Sequence, residues 1–241
     1  MPDAQAVIWR GEPVAAVVLA GGIGRRYGDD KARARIAGVR LLDRALAATR
    51  PFAPVWVVAG TPERAATLEP LVAEPVRVVP DDRPGAGPIG GIATALRLAG
   101  RGWVAVLAVD LPLVDEVWWP ALMAAADRAA GLGRAAAADR AAGLGRAAAA
   151  DRAAGAAGPI RAVAARAPNG RWEPLAALYH ADLAPLAAGR AAPGGDASLQ
   201  RFLAAAAAWP VAVAELPGGA LHNVNTPADA RAVEARWRGD P

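Results

Sequence analysis

Along this chain, runs that are apolar at nearly every position alternate with stretches in which apolar residues recur every three or four positions. Residues 14–20 (VAAVVLA), 54–60 (PVWVVAG), 76–80 (VRVVP) and 103–110 (WVAVLAVD) form the first kind, broken only by Arg77 and by Asp110 at the end of its run. Nearly continuous apolar runs of this length predict strands buried on both faces. Between them, LLDRALAATR (41–50) has helical spacing. TPERAATLEP opens a second helix with a capping Thr61 and a first-turn Pro62. A third helix is expected from about Ile92 to Leu98. Strands that alternate with helices predict a parallel sheet covered on both sides, an α/β fold of three layers.

The second half of the chain reads differently. RAVAARAP and RWEPLAALYH flank Asn169-Gly170 and predict a β-hairpin, an antiparallel addition to the parallel sheet. SLQRFLAAAAA follows as a helix and VAVAEL (211–216) as a strand. Thr226 then caps a last helix with Pro227 at its first position. Between the halves, DRAAGLGRAAAA occurs twice from Asp127, and DRAA once more up to Ala154. A twelve-residue period turns each helical copy by about 120° relative to the one before, so the copies share no common stripe. Gly131 and Gly133 each cost a helix about 1 kcal/mol, and Asp127 has no Arg three or four positions on. The repeats therefore predict a frayed Ala-rich helical extension without chemistry.

Composition narrows the function classes. The 241 residues carry a formal charge of +4, with the basic residues scattered, which suits an anionic ligand and shows no nucleic-acid stripe. The absence of cysteine removes thiolate catalysis and thiolate metal sites. No apolar run is long enough for a membrane span, and no leader pattern opens the chain, so the cytoplasm is expected. His180 and His222 have no partner pattern, and the eight Trp are spread out as packing residues. Lys and Arg total 27, yet the single lysine is Lys31.

That lysine lies in LAGGIGRRYGDDKA (19–32), directly after the first strand. Glycines there let backbone N–H groups approach phosphate. A dinucleotide loop would want an acidic residue ending the second strand, where Ala59-Gly60-Thr61 stands instead. A Walker loop would want Gly-Lys-Ser/Thr, whereas Lys31 follows Asp30. Tyr27 and Lys31 have the spacing of a dehydrogenase Tyr-x-x-x-Lys pair, but Gly-Asp-Asp between them does not make the required helix. Two further segments, 81–91 and 110–112, also follow strand ends, and ligands of such sheets gather at the carboxyl ends of the strands.

The loop resembles L-A-G-G-x-x-x-R-x-G-x-D-K of nucleotidyltransferases with a nucleotide-diphospho-sugar transferase fold, and among them the MobA-like molybdenum cofactor guanylyltransferases. Leu19-Ala20-Gly21-Gly22, Arg25-Arg26, Gly28 and Asp30-Lys31 carry the first match. Asp81 before Gly87-Pro88-Ile89-Gly90-Gly91, Asp110-Leu111-Pro112, Glu173-Pro174-Leu175 and Asn223-Val224-Asn225-Thr226-Pro227 follow in order. Arg33 and Arg35 depart from the apolar residues usual after the lysine, Tyr27 from the common Met, and the repeats have no counterpart.

The resemblance implies one nucleotidyltransferase domain over 12–239, mostly parallel with an antiparallel hairpin and a low-complexity insertion at about 127–158. It implies a Mg²⁺-dependent transfer of GMP from GTP to the phosphate of molybdopterin, with release of pyrophosphate. Residues 19–22, Arg26, Lys31, Asp81, Gly87 and Asp110 are expected to bind the nucleotide. Lys31 and Arg25 are expected to act on phosphate, and Asp110 to hold the metal. Asp81 is expected to read ribose or base, with Asp82 solvated beside it. Asn223 and Asn225, alternating on a strand, would support acceptor or metal, with one of them facing the site. Expected partners are the small-molecule substrates and, transiently, molybdenum cofactor biosynthesis proteins or molybdoenzymes, with neither nucleic acid nor membrane. The residues favour nucleotidyl transfer and leave base and acceptor open. A cytidylyltransferase, a sugar-phosphate nucleotidyltransferase and a non-catalytic nucleotide-binding protein remain alternatives.

Overall fold

The computed structural model describes residues 6–21, 30–141 and 159–238. Gly22, Arg25 and Arg26, and residues 142–158 of the expected insertion, lie outside these. Among the described residues there are ten strands: β1 Ile8–Trp9, β2 Glu12–Leu19, β3 Arg35–Ile36, β4 Val39–Arg40, β5 Val55–Val58, β6 Arg77–Val79, β7 Trp103–Ala108, β8 Ala162–Arg166, β9 Trp172–His180 and β10 Trp209–Ala212. The α-helices are α1 Leu41–Thr49, α2 Pro62–Leu68, α3 Pro88–Ala99, α4 Trp118–Ala141, α5 Ala184–Ala191, α6 Leu199–Ala205 and α7 Pro227–Arg238. Among the described residues, no helix is long and apolar enough to cross a membrane.

The main sheet runs β6-β5-β2-β7-β9-β8-β10, with β1 added to the start of β2 and β3–β4 a separate hairpin. β2 pairs in parallel with both β5 and β7, and β10 pairs in parallel with β8. β9 runs antiparallel to its neighbours β7 and β8, as β1 does to β2. Val14, Ala16 and Val18 of β2 enter one core cluster and Ala15 and Val17 the other, as the two-residue period of a strand requires. The first cluster lies under α1 and α4, the second under α3, α5 and α6. Trp118 and Trp119 of α4 are fully buried, and their indole N–H groups donate to Ala176 O (3.1 Å) and Ala48 O (2.9 Å). Apolar bulk and a satisfied polar tip together let Trp fill a core.

The antiparallel hairpin forms as expected, with β9 between β7 and β8, while three other expectations change. Its turn places Gly170 alone at φ +81°, with Ala167 and Arg171 closing the loop, so Asn169 acts through its side chain, which accepts from Arg171 N at 3.0 Å. The third helix starts at Pro88, four residues early, with Gly90 and Gly91 inside it. A Cβ on Gly91 would lie 2.8 Å from Leu19 Cδ2, so glycine there permits the helix to approach the end of β2. β10 stops at Ala212 and Asn223 and Asn225 lie on no strand, because Pro217-Gly218-Gly219, with Gly219 at φ +75°, turns the chain. The repeat is not free throughout: Asp127 in its first copy accepts from Trp9 Nε1 (2.9 Å) and Arg10 Nε (3.0 Å), which fixes β1 onto α4.

Candidate active site

The parallel strands end together, and each contributes a short irregular segment. Lys31 follows β2 in a tight turn: Arg33 N and Ala34 N donate to Asp30 O, and buried Ala32 anchors the turn in the core. Asp110 follows β7, with Val109 N still bonded to Leu19 O (3.1 Å). The segment after β10 crosses over the strand ends, and Val224 N donates to Asp110 O at 2.8 Å.

These three segments meet at the lysine. Lys31 Nζ donates to Asp110 Oδ2 (3.0 Å) and to Asn225 Oδ1 (2.6 Å). The two ion-pair side chains are only 14% and 21% exposed, so the attraction is screened less than at a surface. An ammonium has three N–H donors and two are used here, which leaves one to point elsewhere. Asp110 Oδ1 is buried and has no partner among the described residues. Asp110 is thus an ion-pair partner, and the helix-cap role open to an Asp before a turn is not the one it takes.

Asn225 is fixed by the helix behind it. Asp229, at the third position of α7, accepts from Asn225 N (2.8 Å) and Thr226 N (2.7 Å), while Thr226 Oγ1 accepts from Asp229 N (3.2 Å). This is a reciprocal cap, and the Asn225 and Thr226 amides hold the Asp229 carboxyl below its usual range. Asn223 is exposed, Val224 is buried, and Asn225 turns inward.

On the β6 side, Asp81 N donates to Gly60 O (3.0 Å), and the side chain lies beside the first turn of α3. Gly87 caps that turn at φ +71°. Burial pushes the Asp81 carboxyl up to about 6, against the lowering pull of the Gly60 backbone bond, and its buried Oδ1 has no partner among the described residues. Asp82 is not simply solvated: Arg97 grips it through two bonds of 2.6 and 2.8 Å. Arg33 and Arg35 turn away to the carbonyls of Thr67 (2.7 Å) and Gly38 (2.6 Å). Burial also raises the carboxyl of Glu173 at the start of β9, and Arg171 partly offsets this.

The β5–α2 turn holds a residue that the sequence pattern missed. Arg64 Nε donates to Ala20 O (2.8 Å), and its other arm pairs with Asp30 Oδ1. One more Arg among many gives no signal in the sequence. The only hint was its place in the first turn of a helix that follows a strand.

The site thus offers an ammonium, a half-paired carboxylate and an amide oxygen at the strand ends, with a desolvated carboxylate beside a helix N-terminus. No cluster of three His, Asp or Glu that could hold a metal occurs among the described residues. Oxygen donors without nitrogen or sulfur suit Mg²⁺, which takes one or two protein ligands and completes its shell with water and phosphate. The unpartnered Asp110 Oδ1, with Asn225 Oδ1 nearby, fits that requirement.

Comparison with known proteins agrees with the motifs. The family model described as the MobA-like NTP transferase domain matches residues 16–211, which stops short of Asn223 and Asn225. A probable molybdenum cofactor guanylyltransferase of Opitutus terrae is 33% identical over 197 residues, 80% of this chain and 78% of that protein. A second, of Deinococcus radiodurans, is 31% identical over 93% of this chain and 95% of its own length. Among solved structures, molybdopterin-guanine dinucleotide biosynthesis protein A of Archaeoglobus fulgidus superposes with a TM-score of 0.65 at 21% identity, over 93% of this chain and 99% of that one. At that identity the likeness shows the fold.

Proposed function

The chain belongs to the MobA-like NTP transferase family, and from that premise we propose that it transfers GMP from GTP to the terminal phosphate of molybdopterin, with Mg²⁺. The coarser activity, nucleotidyl transfer of the molybdenum cofactor guanylyltransferase kind, follows from the family and from relatives matched over most of their length. The observation that supports nucleotidyl transfer at this site is the contact of Lys31 with Asp110 and Asn225, which joins three motifs up to 194 positions apart, while guanine and molybdopterin are taken over from the names of the relatives.

In such a transfer an acceptor phosphate oxygen attacks the α-phosphorus in line, the P–O bond to the β-phosphate breaks, and pyrophosphate leaves. Charge develops on oxygen, so positioning and positive charge do most of the catalysis. Lys31 can exchange its hold on Asp110 for a phosphate oxygen. It is a compact charge where a guanidinium fork would need more room. Mg²⁺, held by Asp110 with Asn225, would neutralise phosphate charge. Asp81 accepts from ribose or base, and Arg25 and Arg26 are assigned by motif to the leaving pyrophosphate.

The test is pyrophosphate release from GTP, CTP, ATP and UTP with Mg²⁺, each with and without molybdopterin. Release from GTP alone, dependent on the pterin, is expected. A preference for CTP would move the chain to cytidylyl transfer on the same site. Release from none of the four would overturn the assignment.

A further inference from the structure

The turn after β5 and the first turn of α2 touch the two ends of the nucleotide loop at three places, Gly60 on Gly21 and Arg64 on Ala20 and Asp30. Gly60, at φ +85°, lies so close to Gly21 that a Cβ on Gly21 would stand 3.1 Å from Gly60 Cα. Gly60 O receives the Asp81 amide at 3.0 Å. Arg64, four residues on, reaches both ends of the loop: its Nε donates to Ala20 O at 2.8 Å and its terminal nitrogen pairs with Asp30 Oδ1. The same Asp30 oxygen accepts from Ala32 N at 2.9 Å, so it fixes the backbone on either side of Lys31. The two ion-pair side chains are 14% and 20% exposed. Thr61 Oγ1, accepting from Arg64 N, anchors the arginine in the first helical turn.

We infer that Arg64 is a positioning residue for nucleotidyl transfer, a strap that ties Asp30 to Ala20 at the end of β2 and through Asp30 sets the place of Lys31. The inference rests on the proposed function for its catalytic consequence. With Nε and one terminal nitrogen already engaged, and the charge balanced by Asp30, Arg64 positions Asp30 and leaves direct phosphate contact to other groups. Its planar fork meets the two acceptors through two separate nitrogens held in one plane, a spacing that the single nitrogen of a lysine does not match.

The test compares wild type, Arg64→Ala, Arg64→Lys, Asp30→Asn and the double variant Arg64→Ala with Asp30→Asn. GTP affinity is read by calorimetry and turnover by pyrophosphate release. In Arg64→Ala, GTP binding weakens about tenfold and kcat falls about a hundredfold, because a displacement of about 1 Å at a reacting group carries a penalty of that size. Millimolar guanidinium restores part of the turnover while urea at equal concentration does not, and Arg64→Lys falls between. The double variant is no worse than Arg64→Ala, since the two residues act as one unit. Should Arg64→Ala fail to fold, Arg64→Lys and Asp30→Asn carry the same readouts. The strap is overturned if folded variants keep GTP affinity and kcat within about twofold of wild type. It is equally overturned if guanidinium restores nothing and the two losses multiply. A wild type that binds GTP but transfers nothing would sink the proposed function alone, with the affinity comparison still deciding the strap. A wild type that binds no GTP would overturn both.

Discussion

At the scale of single residues, the site depends on where charge is left unpaired. Lys31→Arg keeps the charge but replaces a compact ammonium with a fork, so kcat is expected to fall about a hundredfold while the melting temperature stays within a few degrees. Asp110→Ala removes both Lys31's counter-ion and the free oxygen, so Mg²⁺-dependent turnover should vanish in a folded protein. Asp81 makes a pH prediction whose sign can be worked out. Burial raises its folded pKa to about 6, so the folded state favours the protonated form. Its stabilising contribution is largest at acid pH and is lost as pH rises through about 6. Nucleotide donors need the ionised form, so the KM for GTP should fall as pH rises through the same range. Asp81→Asn should flatten that profile and be at least as stable as wild type at pH 8. A pH-dependent KM that survives in Asp81→Asn would assign the titration to another group.

At the scale of elements, the order of strands and helices was legible because β2 and β7 are apolar at nearly every position, a signal few arrangements other than a doubly covered sheet produce. The cap at Thr61 and the first-turn Pro62 were legible for the same local reason: capping is decided within four residues. The start of α3 was not, because glycines that look like a loop were there to let the helix approach Leu19. The site was legible only as motifs. Which of Asn223 and Asn225 turns inward depends on the Asp229 cap and the bond from Val224 to Asp110, both tertiary facts. Asp229→Ala is therefore expected to lower the melting temperature by a few degrees and to lower kcat as well by loosening Asn225. Equal losses in Asp229→Ala and Asn225→Ala, with no further loss when the two are combined, would support that coupling.

For the whole molecule, the start of the repeat is built into the fold. Asp127 and buried Ala130 belong to the fold, although their letters repeat in later copies. Periodicity could not reveal this, since the partners of Asp127 lie 117 and 118 positions away. Deleting 131–154 should leave turnover near wild type, while Asp127→Ala should lower the melting temperature by several degrees. Loss of folding on the deletion would make the repeats structural. The contact between Lys31 and Asn225 spans 194 positions. A chain cut just after β10 would therefore keep every described strand of the sheet and still lack the residue that completes the lysine's surroundings. The sheet and the lysine's surroundings are thus specified by different parts of the chain, and a truncation at that point separates the two.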